Sequence, residues 1–121
     1  MQADPLDGTR WALEYLTLDG VSHLVSGRRI PELAFLDGRV SCDDGVNLGE
    51  GTYDYRTEAM SLRVHPTTHI PYPAEPLVEH RLFDHFERVR VAVLHGDFLH
   101  LRLEGHGDEL VYHYEAEEAP A

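Results

Sequence analysis

The sequence has a single cysteine and no apolar segment long enough to cross a membrane. Cys42 has no second cysteine with which to form an internal disulfide, and such cysteine usage is typical of proteins from a reducing compartment. No apolar run approaches the roughly 20 residues that a membrane helix requires, and the first ten residues lack a basic segment followed by an apolar one. We therefore expect a cytoplasmic protein without membrane insertion.

Basic residues are also scarce. The chain has 10 basic and 22 acidic residues, which gives a formal net charge of −12, and its longest basic run is the dipeptide Arg28-Arg29. A charge of this sign repels phosphate backbones and anionic membrane surfaces. We therefore do not expect nucleic acid as a partner.

Catalytic signatures are missing as well. The sequence contains no Gly-x-Ser-x-Gly elbow, no cysteine and histidine at a recognisable catalytic spacing, and no phosphate-binding glycine loop. The polar residues Asp43, Asp44, Asn47 and Glu50 superficially suggest calcium, but their spacing fails the EF-hand pattern, and turn chemistry explains them better. We predict a protein that is not an enzyme and requires no cofactor.

What the sequence does contain is a regular series of turn signals between alternating apolar residues. Asp-Gly dipeptides, the strongest short-range signal for a two-residue hairpin turn, occur at residues 7–8, 19–20, 37–38 and 44–45. The first strand is predicted from Thr9 to Leu18. A turn at residues 37–38 sets Phe35 opposite Val40 and makes Cys42 a small core residue. A four-residue loop at 56–59 pairs Tyr53 with Leu62.

One stretch, Ala74–Arg90, has helical spacing. Four apolar residues recur there at i, i+4, i+8 and i+11: Val78, Leu82, Phe86 and Val89. The segment before it, residues 65–76, holds four of the seven prolines and is predicted to be an extended connection. The predicted fold is α+β: an antiparallel, strongly curved sheet or partly closed β-barrel of about seven to eight strands with one packed helix. We expect residues 1–121 to be one domain, with a core at about 8–114 and a short acidic C-terminal tail that is frayed.

The last three predicted strands share one apolar face. With turns at residues 96–97 and 106–107, that face consists of Ala92, Leu94, Leu99, Leu101, Leu103, Leu110, Tyr112 and Tyr114. In this register Leu101 lies opposite Tyr112. On the other face His100 lies directly opposite His113, with His95 as a diagonal neighbour. Three imidazoles so placed would suit a divalent transition metal, whereas the valines beside them favour a packing or solvated surface.

The order of several short motifs is similar to that of the META domain family, which includes the bacterial heat-shock protein HslJ. The matching segments are Gly8–Trp11, Leu33–Phe35, Gly38–Ser41, Gly45–Asn47, Gly51–Tyr53, Thr67–Pro73, and Gly96-Asp97 with Leu99 and Leu101. The family often has cysteines where this chain has Val46 and Tyr72. The resemblance implies that these cysteines meet in exported members, and that this chain is a cytoplasmic member without that link.

The resemblance implies a small non-enzymatic β-protein. Such domains are linked to stress tolerance, novobiocin resistance, motility, or virulence and secretion. We expect a stress-related role, in heat shock or novobiocin-type drug tolerance, exerted by binding a protein partner. One alternative is a small hydrophobic ligand, for which Tyr72 and Phe86 are the candidate binding residues, with Tyr72 lining a groove beside the helix. The other alternative is a metal held by His95, His100 and His113.

Overall fold

The computed structural model describes residues 4–105 and 107–117, and within them nine strands form one antiparallel sheet. The strands are β1 (Thr9–Leu18), β2 (Val21–Leu24), β3 (Glu32–Leu36), β4 (Arg39–Asp43), β5 (Leu48–Arg56), β6 (Ala59–Pro66), β7 (Val89–His95), β8 (Phe98–Leu103) and β9 (Glu109–Glu117). Their order is β2-β1-β3-β4-β5-β6-β7-β8-β9, and β1 also pairs with β9. Eight strands therefore close a barrel, and β2 extends the sheet beyond it. The predicted α+β fold is confirmed.

Strand β1 organises the barrel because it has three partners. One edge pairs with β9 along most of its length, while the other edge pairs with β3 near Thr9–Ala12 and with β2 near Tyr15–Leu18. The β1–β2 turn at Asp19-Gly20 has φ values of 52° and 80°, as a type I′ turn requires. Strand β2 thus continues the line of β3 along β1.

Three of the predicted registers are confirmed. Phe35 lies opposite Val40, Tyr53 opposite Leu62, and Leu94 opposite Leu99. The β5–β6 loop is tighter than predicted, since Arg56 pairs with Ala59 and only Thr57 and Glu58 remain in the turn. Both turn residues have positive φ, 50° and 71°, a conformation that is strained for a β-branched threonine.

The predicted β8–β9 register is wrong by two residues. Leu101 lies opposite Leu110, not Tyr112, and the amide of Leu103 donates to the carbonyl of Asp108. The side chain of Asp108 bonds Arg88 and the Asp19 amide. These bonds hold Asp108 beside β8, and the loop between β8 and β9 is therefore shorter than predicted. A shift of two leaves every side chain on its face, so Tyr112 is still fully buried. His106, at the predicted turn, lies outside the described residues.

The helical stretch is much shorter than predicted. A 3₁₀ turn at Val78–Arg81 leads into helix α1, Leu82–Phe86, and Val89 already begins β7. Residues 89–93 alternate valine with other residues, and β-branched side chains at period two favour a strand. The predicted frayed tail is partly strand as well, since β9 runs to Glu117, and residues 118–121 lie outside the described part of the chain. No helix of the described segments is long and apolar enough to span a bilayer.

Helix α1 covers the place where the barrel is weakest. Strands β6 and β7 pair only at Ala59 and Val91, with one further bond from the Ala92 amide to the Glu58 carbonyl. Leu82 and Phe86 fill the resulting gap and are fully buried. Side chains from all the barrel strands fill the interior, including Trp11, Leu16, Leu33, Phe35, Val40, Met60, Leu62, Ala92, Leu99, Leu101, Leu110 and Tyr112.

Candidate functional site: two grooves beside the helix

A buried polar anchor holds the proline-rich connection against the barrel. Asn47 is 3% exposed, its Nδ2 donates to the carbonyl of Ile70 at 3.0 Å, and its Oδ1 accepts bonds from the Ile70 amide and the Thr68 hydroxyl. Asp44, fully buried, accepts the amides of Val46 and Asn47 through Oδ1. Asp44 and Asn47 therefore belong to a turn, as the sequence predicted, and Asn47 also anchors the connection, which the sequence did not predict.

The anchor also fixes Tyr72. The Tyr72 hydroxyl donates to Oδ2 of Asp44, and its ring lies 5.7 Å from the His80 ring at an interplanar angle of 33°. Nδ1 of His80 in turn accepts the amide of Leu77 at 3.0 Å. Partial burial and the bond to Asp44 raise the pKa of Tyr72 above its usual value. Although 44% exposed, Tyr72 is thus held in one orientation.

Phe83 forms another wall of the same site, and a glycine makes room for it. A Cβ added at Gly49 would lie 2.3 Å from Cε1 of Phe83, so the ring packs directly on the backbone of β5. The same ring lies 5.7 Å from the buried Phe86 ring in an edge-to-face arrangement. The position of Phe83 is therefore set by the core beneath it.

Tyr72 and Phe83 both line an open groove beside the helix. This Tyr72 groove has a volume of about 420 Å³ and is lined by Tyr72, Pro76, His80, Arg81, Phe83 and Asp84. A second depression of about 480 Å³, the Arg88 groove, shares Pro76 and Arg81 with the first and is lined also by Leu18, Asp19, Leu77, Val78, His85, Arg88 and Asp108. Both volumes lie in the range of ligand sites in proteins.

The Arg88 groove is the more polar of the two. Arg88 donates to Oδ2 of Asp108 at 2.8 Å, and the Asp19 amide donates to Oδ1. These two bonds hold the pKa of Asp108 below its ordinary value. Burial, and after it the charge of Arg88, lowers the pKa of His85 and so favours the neutral form of its imidazole. Its Nε2 atom is buried and has no hydrogen-bond partner among the described residues. The internal ion pair leaves this groove without a strong net charge.

The predicted ligand and metal residues do not come together. Phe86 is fully buried in the core and does not line either groove, whereas Tyr72 lines the first. His100 lies opposite Val111 and beside Glu109, and His113 lies opposite Phe98, so the predicted direct pairing of His100 with His113 is wrong. His95, the last residue of β7, lies opposite Phe98 in the β7–β8 pair. No group of three metal-binding side chains is found in residues 4–105 and 107–117.

Sequence reasoning missed Phe83 and Arg81, and it assigned His80 to the solvent face of the helix. All three lie within the predicted helical stretch but off its apolar face, so periodicity assigned them to solvent. A usable signal was the glycine at 49 in the middle of β5, because a glycine within a strand marks a close approach by another group.

Comparison with known proteins identifies the family. The META domain profile matches residues 4–117, nearly the whole chain. The chain belongs to the META domain family. No curated protein matches this META domain protein significantly.

Solved structures share the META domain fold seen here. A Burkholderia xenovorans protein determined by NMR is 19% identical, with a TM-score of 0.71 over 97% of this chain and 94% of its own. A second NMR structure is 18% identical, with a TM-score of 0.67 over 93% and 95%. A crystal structure of a DUF4847 family protein from Bacteroides vulgatus is 11% identical, with a TM-score of 0.63 over 94% and 97%. At these identities the likeness concerns the fold alone.

Proposed function

We propose that this META domain protein is a non-enzymatic, stress-related binding protein that holds an apolar or aromatic side chain of a partner protein in the Tyr72 groove. The observation that carries the proposal is an exposed aromatic ring, Tyr72, held rigidly by a buried polar anchor in a groove that a second ring, Phe83, also lines. The stress-related role comes from the resemblance to the family, and the geometry contributes the site.

Rigidity is what distinguishes Tyr72 from other exposed apolar residues. Its hydroxyl is bonded to Asp44 and its ring lies against His80, so little side-chain entropy remains to be lost when a partner binds. Tyrosine is also one of the residue types enriched among those that dominate binding energy at protein interfaces. Fixing the ring in advance therefore favours association.

The lining of the groove combines apolar and charged side chains. Phe83 and Pro76 supply the apolar surface, while Arg81 and Asp84 carry opposite charges. Protein interfaces commonly combine an apolar centre with a polar rim. A partner segment with an apolar side chain flanked by polar groups fits this arrangement.

A second candidate function is binding of a small aromatic molecule, including novobiocin-type compounds, in the same groove. The volume of about 420 Å³ favours it. The interior of the barrel offers such a molecule little room, because Phe35, Leu101 and Tyr112 are among the side chains that fill it. Both candidates therefore use the same exposed residues.

The absence of catalysis belongs to the proposal. The single thiol, Cys42, is buried, and burial next to Asp43 and Asp44 raises its pKa to about 12, so it is protonated and unreactive at neutral pH. Glu79 on the 3₁₀ turn is also fully buried, with Oε2 bonded to the Gly27 amide. Neither group is placed to meet a substrate.

The test is amide and side-chain NMR of the labelled protein with N-acetyl-tryptophanamide, N-acetyl-leucinamide and novobiocin as probes. We expect N-acetyl-tryptophanamide to shift the resonances of Tyr72, His80 and Phe83. Tyr72→Ala should abolish the shifts, whereas Tyr72→Phe, which keeps the ring but loses the bond to Asp44, should bind more weakly than the wild type. Phe98→Ala is the matched control, because Phe98 is an exposed aromatic residue (38%) that lines neither groove.

The probes separate the two candidates. Shifts with both blocked amino acids support recognition of protein side chains, whereas shifts with novobiocin alone support the small-molecule function and contradict the first. If no probe shifts the groove resonances, or if Phe98→Ala weakens binding as much as Tyr72→Ala, the Tyr72 groove is not the binding site.

A further inference from the structure

Strand β2 leaves one edge of its backbone open. It pairs with β1 alone, and the amide of Val25 continues that pairing by donating to the carbonyl of Glu14. Since backbone groups alternate in direction along a strand, the N–H and C=O groups of Ser22 and Leu24 point away from β1. They have no hydrogen-bond partner in the described part of the chain. The edge offers two donors and two acceptors.

The side chains of β2 do not protect this edge. Val21 is 55% exposed and Leu24 is 76% exposed, and they lie on opposite faces of the strand. Natural edge strands are usually kept short or guarded by lysine, proline, inward charges or a bulge, and β2 is short but has none of the other guards. Residues 20–30 contain no proline and no acidic residue, although the chain has 22 acidic residues in total. A strand edge with exposed apolar side chains and no acidic residue is therefore unusual on the surface of this acidic protein.

Charges at the two ends of β2 indicate what pairs with it. Asp19 precedes the strand and Arg28 follows it, and neither side chain has an ion-pair partner within residues 4–105 and 107–117. A second copy of β2 in the antiparallel direction brings Arg28 of each copy towards Asp19 of the other. Opposite charges then meet at both ends of the shared edge.

We propose that β2 is a self-association surface through which two copies of the protein pair in antiparallel fashion into one continuous sheet. The two-fold axis passes through His23, so Ser22 of each copy exchanges two hydrogen bonds with Leu24 of the other, four in all. Val21 of each copy meets Val25 of the other. Pairing thus satisfies the open backbone groups and covers the exposed apolar side chains.

The geometry predicts a weak dimer. A four-residue edge buries much less than the roughly 800 Å² per partner of a stable complex. Two copies with a net charge of −12 each also repel, and salt screens that repulsion. We therefore expect a dimer population that rises between protein concentrations of about 20 μM and about 1 mM, with dissociation constants near 10⁻⁴ M in order of magnitude.

Sedimentation equilibrium and NMR diffusion measure this association directly. The wild type should approach dimer mass at the highest concentration. Ser22→Pro should stay monomeric at an unchanged melting temperature, because the amide it removes points away from β1. Phe98→Ser, which removes another exposed apolar side chain, should still dimerise. A wild type that is monomeric at about 1 mM, or a Ser22→Pro variant that dimerises equally, overturns the proposal.

Oxidative cross-linking tests the register itself. Residues facing each other across a non-hydrogen-bonded pair have Cα atoms about 4.5 Å apart, within disulfide range, so His23→Cys should form a covalent dimer readily. Val21→Cys is the matched control, because Val21 is well exposed but faces Val25 of the second copy and not itself. Equal cross-linking of the two variants indicates random collision and contradicts the two-fold axis at His23.

Discussion

Removing the Asn47 side chain should destabilise the protein by about 2 to 3 kcal/mol. Asn47→Ala loses three hydrogen bonds, one from its Nδ2 to the Ile70 carbonyl and two accepted by its Oδ1. Each such bond contributes about 1 kcal/mol net. Ile70 is 52% exposed, so water can replace part of the hydrogen bonding that its backbone N–H and C=O lose. The loss of stability therefore stays below the cost of three fully buried unsatisfied groups.

Urea unfolding followed by tryptophan fluorescence measures the difference. For a chain of 121 residues the expected loss corresponds to a decrease in melting temperature of about 6 to 12 °C. Thr67→Val is the control, since the Thr67 hydroxyl makes one long bond of 3.3 Å to the Leu48 carbonyl at an exposed site. We expect that variant to change stability by at most about 0.5 kcal/mol.

The variant should also loosen the groove wall selectively. The Asn47 bonds hold residues 68–70, and Tyr72 follows two residues later, so amide exchange at 68–72 should accelerate more than exchange in β8. If Asn47→Ala costs no more than Thr67→Val, or if exchange accelerates uniformly, Asn47 does not anchor this connection.

Three further predictions follow from the turn, groove and core geometry. Thr57→Asn with Glu58→Gly should stabilise the protein by about 1 kcal/mol in urea unfolding, because Asn-Gly suits the positive φ of both positions, and a loss of stability would contradict the strain at this turn. Burial and Arg88 lower the folded pKa of His85, so the unfolded state binds the proton first, and wild-type stability should fall as the pH drops below about 6.5. His85→Gln should flatten that slope between about pH 7 and 5, and an equal slope in both proteins would refute it. Cys42 should resist Ellman's reagent in the native protein and react fully after denaturation, and rapid native reaction would contradict its burial.

Local turn chemistry explains why most of the sheet was predictable. Asp37-Gly38 and Gly96-Asp97 each specify a short turn, and a short turn determines which residues face each other. The alternation of apolar residues then decides which face is buried. Phe35, Val40, Leu94 and Leu99 therefore lie where the sequence predicts them.

The β8–β9 pair shows where this reasoning stops. Shifting one strand by two residues keeps every side chain on the same face, so burial alone cannot distinguish the two registers. The choice is made by Asp108, whose bonds to Arg88 and the Asp19 amide connect residues distant in sequence. The predicted pairing of His100 with His113 depended on that choice and fails with it.

The helix was overestimated for a related reason. Val89 fits a helical repeat with Val78, Leu82 and Phe86, but it fits the two-residue repeat of β7 equally well. Closing the barrel requires β7 to pair with β8 along its length, and that long-range pairing takes precedence over the local pattern. The helical part ends at Phe86 because the chain must enter the strand soon afterwards.

The Tyr72 groove was only half predictable, because its two walls have different origins. Tyr72 stands where the resemblance to the family implies a cysteine, and its bond to Asp44 joins the same two segments that such a disulfide would join. A tyrosine at this position connects the segments without a covalent bond and also presents its ring to solvent. The substitution therefore supplies both a link that is independent of redox conditions and an aromatic wall that a disulfide would lack. Phe83 completes the site only because Gly49, distant in sequence, leaves room for it.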